Sequence, residues 1–156
     1  MTTLYVDNIA PNLQSSVAIP GHVIQVVESA STTANVVNNT TWTASSLTAT
    51  ITPSATTSKI LVLFHGCYDI DAAGRQIGIQ LRRGTTAISG GAESAASKPY
   101  SGSSRAIGTV AVNHLDSPST TSATTYTVYI KSHGSYSTEF ISQSTEARMT
   151  LMEIAG

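Results

Sequence analysis

Four histidines, one cysteine and nine carboxylates are the side chains with which this chain could make or break bonds. Their spacing assigns them no such work. His22, His65, His114 and His133 are scattered, with no His-x-His or His-Glu-x-x-His among them. A transition metal needs several ligands converging at about 2 Å, so no metal ligand is assigned. Asp69-Ile-Asp71 followed by Gly74 is similar to the start of a calcium loop, since hard cations want clustered carboxylate oxygens. The further acidic ligands and the closing Glu are missing, and the expectation is a hairpin loop with two solvated aspartates.

Nucleophilic catalysis requires Ser or Cys beside a His and an acid. Serine is so frequent that chance proximity carries no information, and no Gly-x-Ser-x-Gly elbow occurs. Nothing selects a carboxylate pair for glycoside chemistry. Ser89-Gly-Gly-Ala92 is Gly-rich, but no Lys-Ser/Thr follows to hold phosphates. Cys67 lies in the apolar run 61–68 and is expected to be a small buried hydrophobe. No catalytic, cofactor-binding or metal-binding residue is assigned, and the chain is not expected to be an enzyme.

Binding is the remaining chemistry. Trp42, Phe64 and Phe140 are expected in the core, as large apolar rings usually are. Tyr100, Tyr129 and Tyr136 fall beside loops or on an alternate strand face, where they could stack on a sugar or pack a subunit interface. Residues 89–103 are Gly, Ala and Ser with few anchors, which reads as a long loop. Tyr100 is its candidate surface-binding residue. Lys and Arg are mostly single and the net charge is -1, so there is no basic stripe for a phosphate backbone and no nucleic-acid partner is expected. The pair Arg82-Arg83 is expected at a solvated strand end. No apolar run approaches the roughly 18 residues of a membrane span, so no membrane insertion is expected. The stretch 1–8 lacks a basic region followed by an apolar one, unlike a signal peptide.

The elements that must position these residues are strands. Thr124 to Lys131 alternates Tyr126, Val128 and Ile130 against Thr127, Tyr129 and Lys131. Ile77, Ile79 and Leu81 alternate likewise, as do Leu47, Ala49 and Ile51, and such alternation marks a half-buried strand. The run 59–65 is nearly continuous in apolar residues and predicts a strand covered on both faces, with Leu61 inward. Turn signals separate about eight strands, and no stretch has a helical period. The expected fold is all-β: a jelly-roll-type β-sandwich of about eight antiparallel strands with an extended N-terminal arm. The arm covers residues 1–20 and the jelly-roll domain residues 21–156. Leu4, Val6, Ile9, Leu13, Val17 and Ile19 are apolar enough to suggest an arm that docks. Charged residues make up only 11% of the chain, against roughly 25% in ordinary domains, which suits a protein partly covered by neighbouring copies.

Several segments together resemble tailed-phage virion structural proteins, notably those of viruses of cyanobacteria. They are Ile51-Thr-Pro-Ser-Ala-Thr-Thr-Ser-Lys-Ile-Leu-Val62, Leu81-Arg-Arg-Gly-Thr-Thr-Ala-Ile88, Thr124 to Lys131 and Met149-Thr-Leu-Met-Glu-Ile154. The openings Val6-Asp-Asn-Ile9 and Ile19-Pro-Gly-His-Val-Ile-Gln-Val26 are similar too. Such proteins are similar to trimeric jelly rolls of the tumour-necrosis-factor or C1q type. The resemblance implies a homotrimer on the virion exterior, assembled in the host cytoplasm. It implies a capsid cement or decoration protein docked on the major capsid protein, with the arm as anchor. The alternative it implies is a short tail fibre or other tail component, partnered by other tail proteins and a host surface glycan. It supplies no catalytic residue and no cofactor.

Overall fold

A computed structural model describes residues 19–90, 95–102 and 104–156. The arm candidates Leu4, Val6, Ile9, Leu13 and Val17 lie outside the described residues. Ile19 lies within them and is exposed.

The described residues form eleven strands and no helix. They are β1 (Val23–Ser31), β2 (Asn35–Val37), β3 (Thr43–Ile51), β4 (Lys59–Ile70), β5 (Arg75–Arg83), β6 (Thr86–Ala87), β7 (Tyr100–Ser101), β8 (Ala106–Asp116), β9 (Thr124–Ser132), β10 (Thr138–Phe140) and β11 (Ala147–Ile154). Every pairing is antiparallel. In the first sheet, β8 takes one edge of β4, while β11 and then β10 share the other. β1 lies outside β11 and β2 outside β10. The second sheet runs β3-β9-β5-β6, with β7 on β5 as well. The orders β1-β11-β4-β8 and β3-β9-β5-β6 are those of a jelly roll, so the expected sandwich is the one observed.

The alternating residues read from sequence build the core. Leu47, Ile51, Ile77, Ile79, Leu81, Tyr126, Val128 and Ile130 enter from the second sheet, and Ile60, Val62, Phe64, Met149 and Leu151 from the first. A fully buried aliphatic or aromatic side chain contributes about 1.5–3 kcal/mol, so this layer supplies most of the stabilisation. Gly66 admits the Phe140 ring: a Cβ there would lie 2.6 Å from the ring carbons Cε2 and Cζ.

Two buried carboxylates tie the layers at their rims. Asp116 on β8 accepts from the Tyr126 hydroxyl on β9 at 2.7 Å and from Arg83 Nη1 at 2.8 Å, which links the two sheets. Glu153 accepts from Ser54 N at 2.7 Å, Ser54 Oγ at 2.6 Å and Gln25 Nε2 at 2.5 Å. This pins the turn after β3 to β11.

Several expectations need correction. The run 59–65 is buried on one face only: Ile60, Val62 and Phe64 point inward, while Leu61, Leu63 and His65 point outward. Among the described residues no layer packs on the second face, which carries the partly exposed Leu61 and Leu63. Trp42 is not in the core; it precedes β3 and lies over the outside of the second sheet. Cys67 is half-buried on the outward parity of β4, with Sγ 3.4 Å from Ser142 Oγ. Asp69 is not solvated: β4 continues through it, and it is buried against Arg105. Asp71 does lie in the turn, paired with Arg75 at 2.6 Å. The segment 89–103 is not one uninterrupted loop, because Ser97 bridges to Ile79 and β7 pairs with the start of β5. Arg82 and Arg83 are partly buried, Arg83 by its pair with Asp116.

Candidate functional site

The outside of the first sheet is the least usual surface of the molecule. Residues directly opposed in an antiparallel ladder project from the same face. Register therefore places Val26, Met152, Leu61 and Leu115 in one row across β1, β11, β4 and β8. Val26 is 56% and Leu115 50% exposed. At the β1 end, Val23 and Ile24 extend the apolar surface. The next row is Glu28, Thr150, Leu63 and Asn113, and the one after it Ala30, Arg148, His65 and Ala111. The face thus grades from apolar to polar along the strands.

The polar half carries an ordered charge network. Arg148 pairs with Glu28 through Nη1 and with Glu146 through Nε, the latter at 2.6 Å. The two carboxylates raise the pKa of the Arg148 guanidinium, first through the hydrogen bond to Glu146. Glu28, Leu63, His65, Asn113, Arg148 and Thr150 line a shallow depression of about 410 Å³. A flat apolar row beside a polar depression suits a complementary protein surface better than a small substrate, which is usually enclosed on most sides.

A second polar cluster lies at the far end of this sheet. Arg105 Nε donates to Asp69 Oδ1 at 2.9 Å, its Nη2 donates to Oδ2, and Gln143 Nε2 reaches Oδ2 at 3.2 Å. The Arg105 hydrogen bond holds the Asp69 pKa below its ordinary value against the opposing effect of burial. These groups satisfy one another. Among the described residues no three His, Cys, Asp or Glu side chains come together as metal ligands.

Tyr100 is 57% exposed, on the short strand β7 opposite Gln76. Tyr136 is tied inward: its hydroxyl accepts from Gln76 N at 2.9 Å, and Arg75 stacks 5.1 Å from its ring centroid. The four histidines stay dispersed. Sequence reasoning missed the outward row. Its signal was present in the unbroken apolar run 60–64 together with Met152 and Ile154, but their alignment follows from strand register.

Among the described residues these features define a β-sandwich with an apolar row on one outer face. Compared with known families and curated proteins, the chain matches no family model and no curated sequence.

Proposed function

We propose that this chain is a phage virion structural protein, a homotrimeric capsid cement that docks on the major capsid protein and stabilises the shell from outside. The observation that carries the assembly part is the apolar row Val26-Met152-Leu61-Leu115 on the outside of the first sheet. A contiguous exposed apolar patch marks a surface that meets another protein. A second copy is a fitting occupant, because only 11% of the chain is charged, against roughly 25% in ordinary domains, which suits a protein partly covered by its own copies. The number three, the virion and the capsid partner come from the resemblance of residues 51–62, 81–88, 124–131 and 149–154 to virion proteins. Leu4, Val6, Ile9, Leu13, Val17 and Ile19 are the proposed capsid anchor.

Sedimentation equilibrium at micromolar concentration tests the assembly: a trimer is expected, and a monomer overturns it. Quantitative mass spectrometry of virions tests the location. Cement requires copies in a simple lattice ratio to the major capsid protein. A few dozen copies or fewer would favour the second reading, a tail component that binds a host surface glycan. The exposed Tyr100 ring is what favours that reading.

A further inference from the structure

The second sheet has an unusual outer face of its own. Ile77, Ile79 and Leu81 fill the core, so Gly78, Gln80 and Arg82 stand on the opposite face of β5. By the same parity Thr127, Tyr129 and Lys131 stand outward on β9, and register sets Gly78 against Lys131 and Gln80 against Tyr129. Trp42 lies across this row. A Cβ at Gly78 would sit 3.1 Å from Trp42 Cη2, 3.1 Å from His133 Nε2 and 3.2 Å from Lys131 Cγ. Three side chains thus converge over a glycine that leaves room for them. Arg82 stacks 4.3 Å from the Tyr129 ring centroid and 5.9 Å from that of Trp42, and Lys131 Nζ lies 4.6 Å from the Trp42 ring.

We propose that Trp42, Arg82, Tyr129, Lys131 and His133 form a binding site for an acidic saccharide, a sugar bearing a carboxylate or sulfate. Unmet polar demand in a place built from side chains of different strands is the first ground. Trp42 Nε1 and His133 Nε2 are buried with no hydrogen-bond partner among the described residues. Lys131 is only 8% exposed and has no carboxylate partner among them. Buried donors and charges normally find partners, and an anion supplies one to the Trp42 N–H and the Lys131 ammonium, and to His133 Nε2 when that nitrogen carries a proton.

Electrostatic convergence is the second ground. Arg82 and Lys131 both stand over the Trp42 ring, and burial first, then Lys98 and Lys131, holds the His133 pKa below its ordinary value. The aromatic rings supply the rest. A sugar presents C–H surface beside its charged group, and Trp and Tyr offer flat apolar area with a polar edge. Cation–π stacking steadies Arg82 and Lys131 but leaves the Trp42 and His133 nitrogens unmet. A nucleic acid fits less well, because these cations form a single cluster with no stripe to follow a phosphate backbone. The site lies on the sheet opposite the apolar row and does not depend on the assembly reading.

Trp42 is the only tryptophan in the chain, so its fluorescence reports on this site directly. The test titrates the full-length protein with a galacturonate tetrasaccharide, a heparin tetrasaccharide, neutral maltotetraose and sodium sulfate. A saturable change in Trp42 emission with an acidic tetrasaccharide, at least tenfold tighter than with maltotetraose or sulfate, is expected. Arg82→Gln and Lys131→Met, each verified as folded by circular dichroism, should each weaken binding at least tenfold. NMR titration should show the His133 pKa rising in the complex. No saturable response to either acidic sugar overturns the proposal. So does an equal response to maltotetraose or to sulfate, or unchanged affinity in both folded variants.

Discussion

Leu61 on β4 stands directly opposite Leu115 on β8, and the pair projects from the outside of the sandwich. Its neighbours in sequence, Ile60 and Val62, are fully buried on the other face. One residue along this strand therefore separates a place in the core from a place on the proposed association surface. Leu61→Asp should leave the far-ultraviolet spectrum and the melting midpoint nearly unchanged while abolishing self-association in sedimentation. Val62→Asp places an unpaired charge in the core and should prevent folding. If Leu61→Asp unfolds the chain, the outward face is needed for the fold itself.

Gly66 is required by the Phe140 ring. That ring is fully buried and cannot swing away from a new methyl group. Gly66→Ala should cost about 1–3 kcal/mol in urea unfolding, the usual range for overpacking. Phe140→Leu, which shrinks the obstacle, should make the double variant less unstable than the sum of the two single changes.

Acid should loosen the rims of the sandwich. The Asp69 pKa is lowered, chiefly by its hydrogen bond from Arg105. For Glu153, burial pushes the pKa up, but hydrogen bonds from Gln25 and Ser54 outweigh it and the net shift is downward. A carboxylate with a depressed folded-state pKa contributes stability that is present above its unfolded pKa, about 4, and is lost as pH falls through the folded value. Melting midpoints of the wild type and Asp69→Asn should differ at pH 7 and converge below about pH 4.

Alkali should act through Tyr126. Burial first, then its hydrogen bond to Asp116, raises the pKa of this hydroxyl. A raised folded-state pKa contributes stability below the unfolded value, about 10, that is lost as pH rises beyond it. Tyr126→Phe should cost roughly 1.5–3 kcal/mol at pH 7, the range for a hydrogen bond to a charged group. It should also flatten the loss of stability above about pH 10.

Deleting residues 1–20 tests the proposed anchor separately from the proposed trimer. The truncated protein should remain a trimer in sedimentation and lose its binding to capsids in a pull-down. Binding that survives the deletion would move the capsid contact to the sandwich.

Much of the fold was legible because a strand buried on one face writes its burial into alternate positions. The sets Leu47-Ala49-Ile51, Ile77-Ile79-Leu81 and Tyr126-Val128-Ile130 read correctly because each has polar or small residues between its core members. The run 60–64 read wrongly because both faces of β4 are apolar there, and periodicity then carries no information about which face is covered. Trp42 misled for a related reason: size suggests the core, yet this ring lies outside, over Gly78 and beside two cations.

By itself the sequence determined the class of fold, most strand positions and the absence of any recognisable catalytic spacing, since these depend on local alternation and residue type. The tertiary structure alone decided which residues from distant segments share a surface. Val26, Leu61, Leu115 and Met152 are far apart in the chain and meet only through the register of three ladders. Trp42, Arg82 and Lys131 converge only because β9 pairs with β3 on one side and β5 on the other. Register is set by how whole strands pair and pack, and no single segment carries that information.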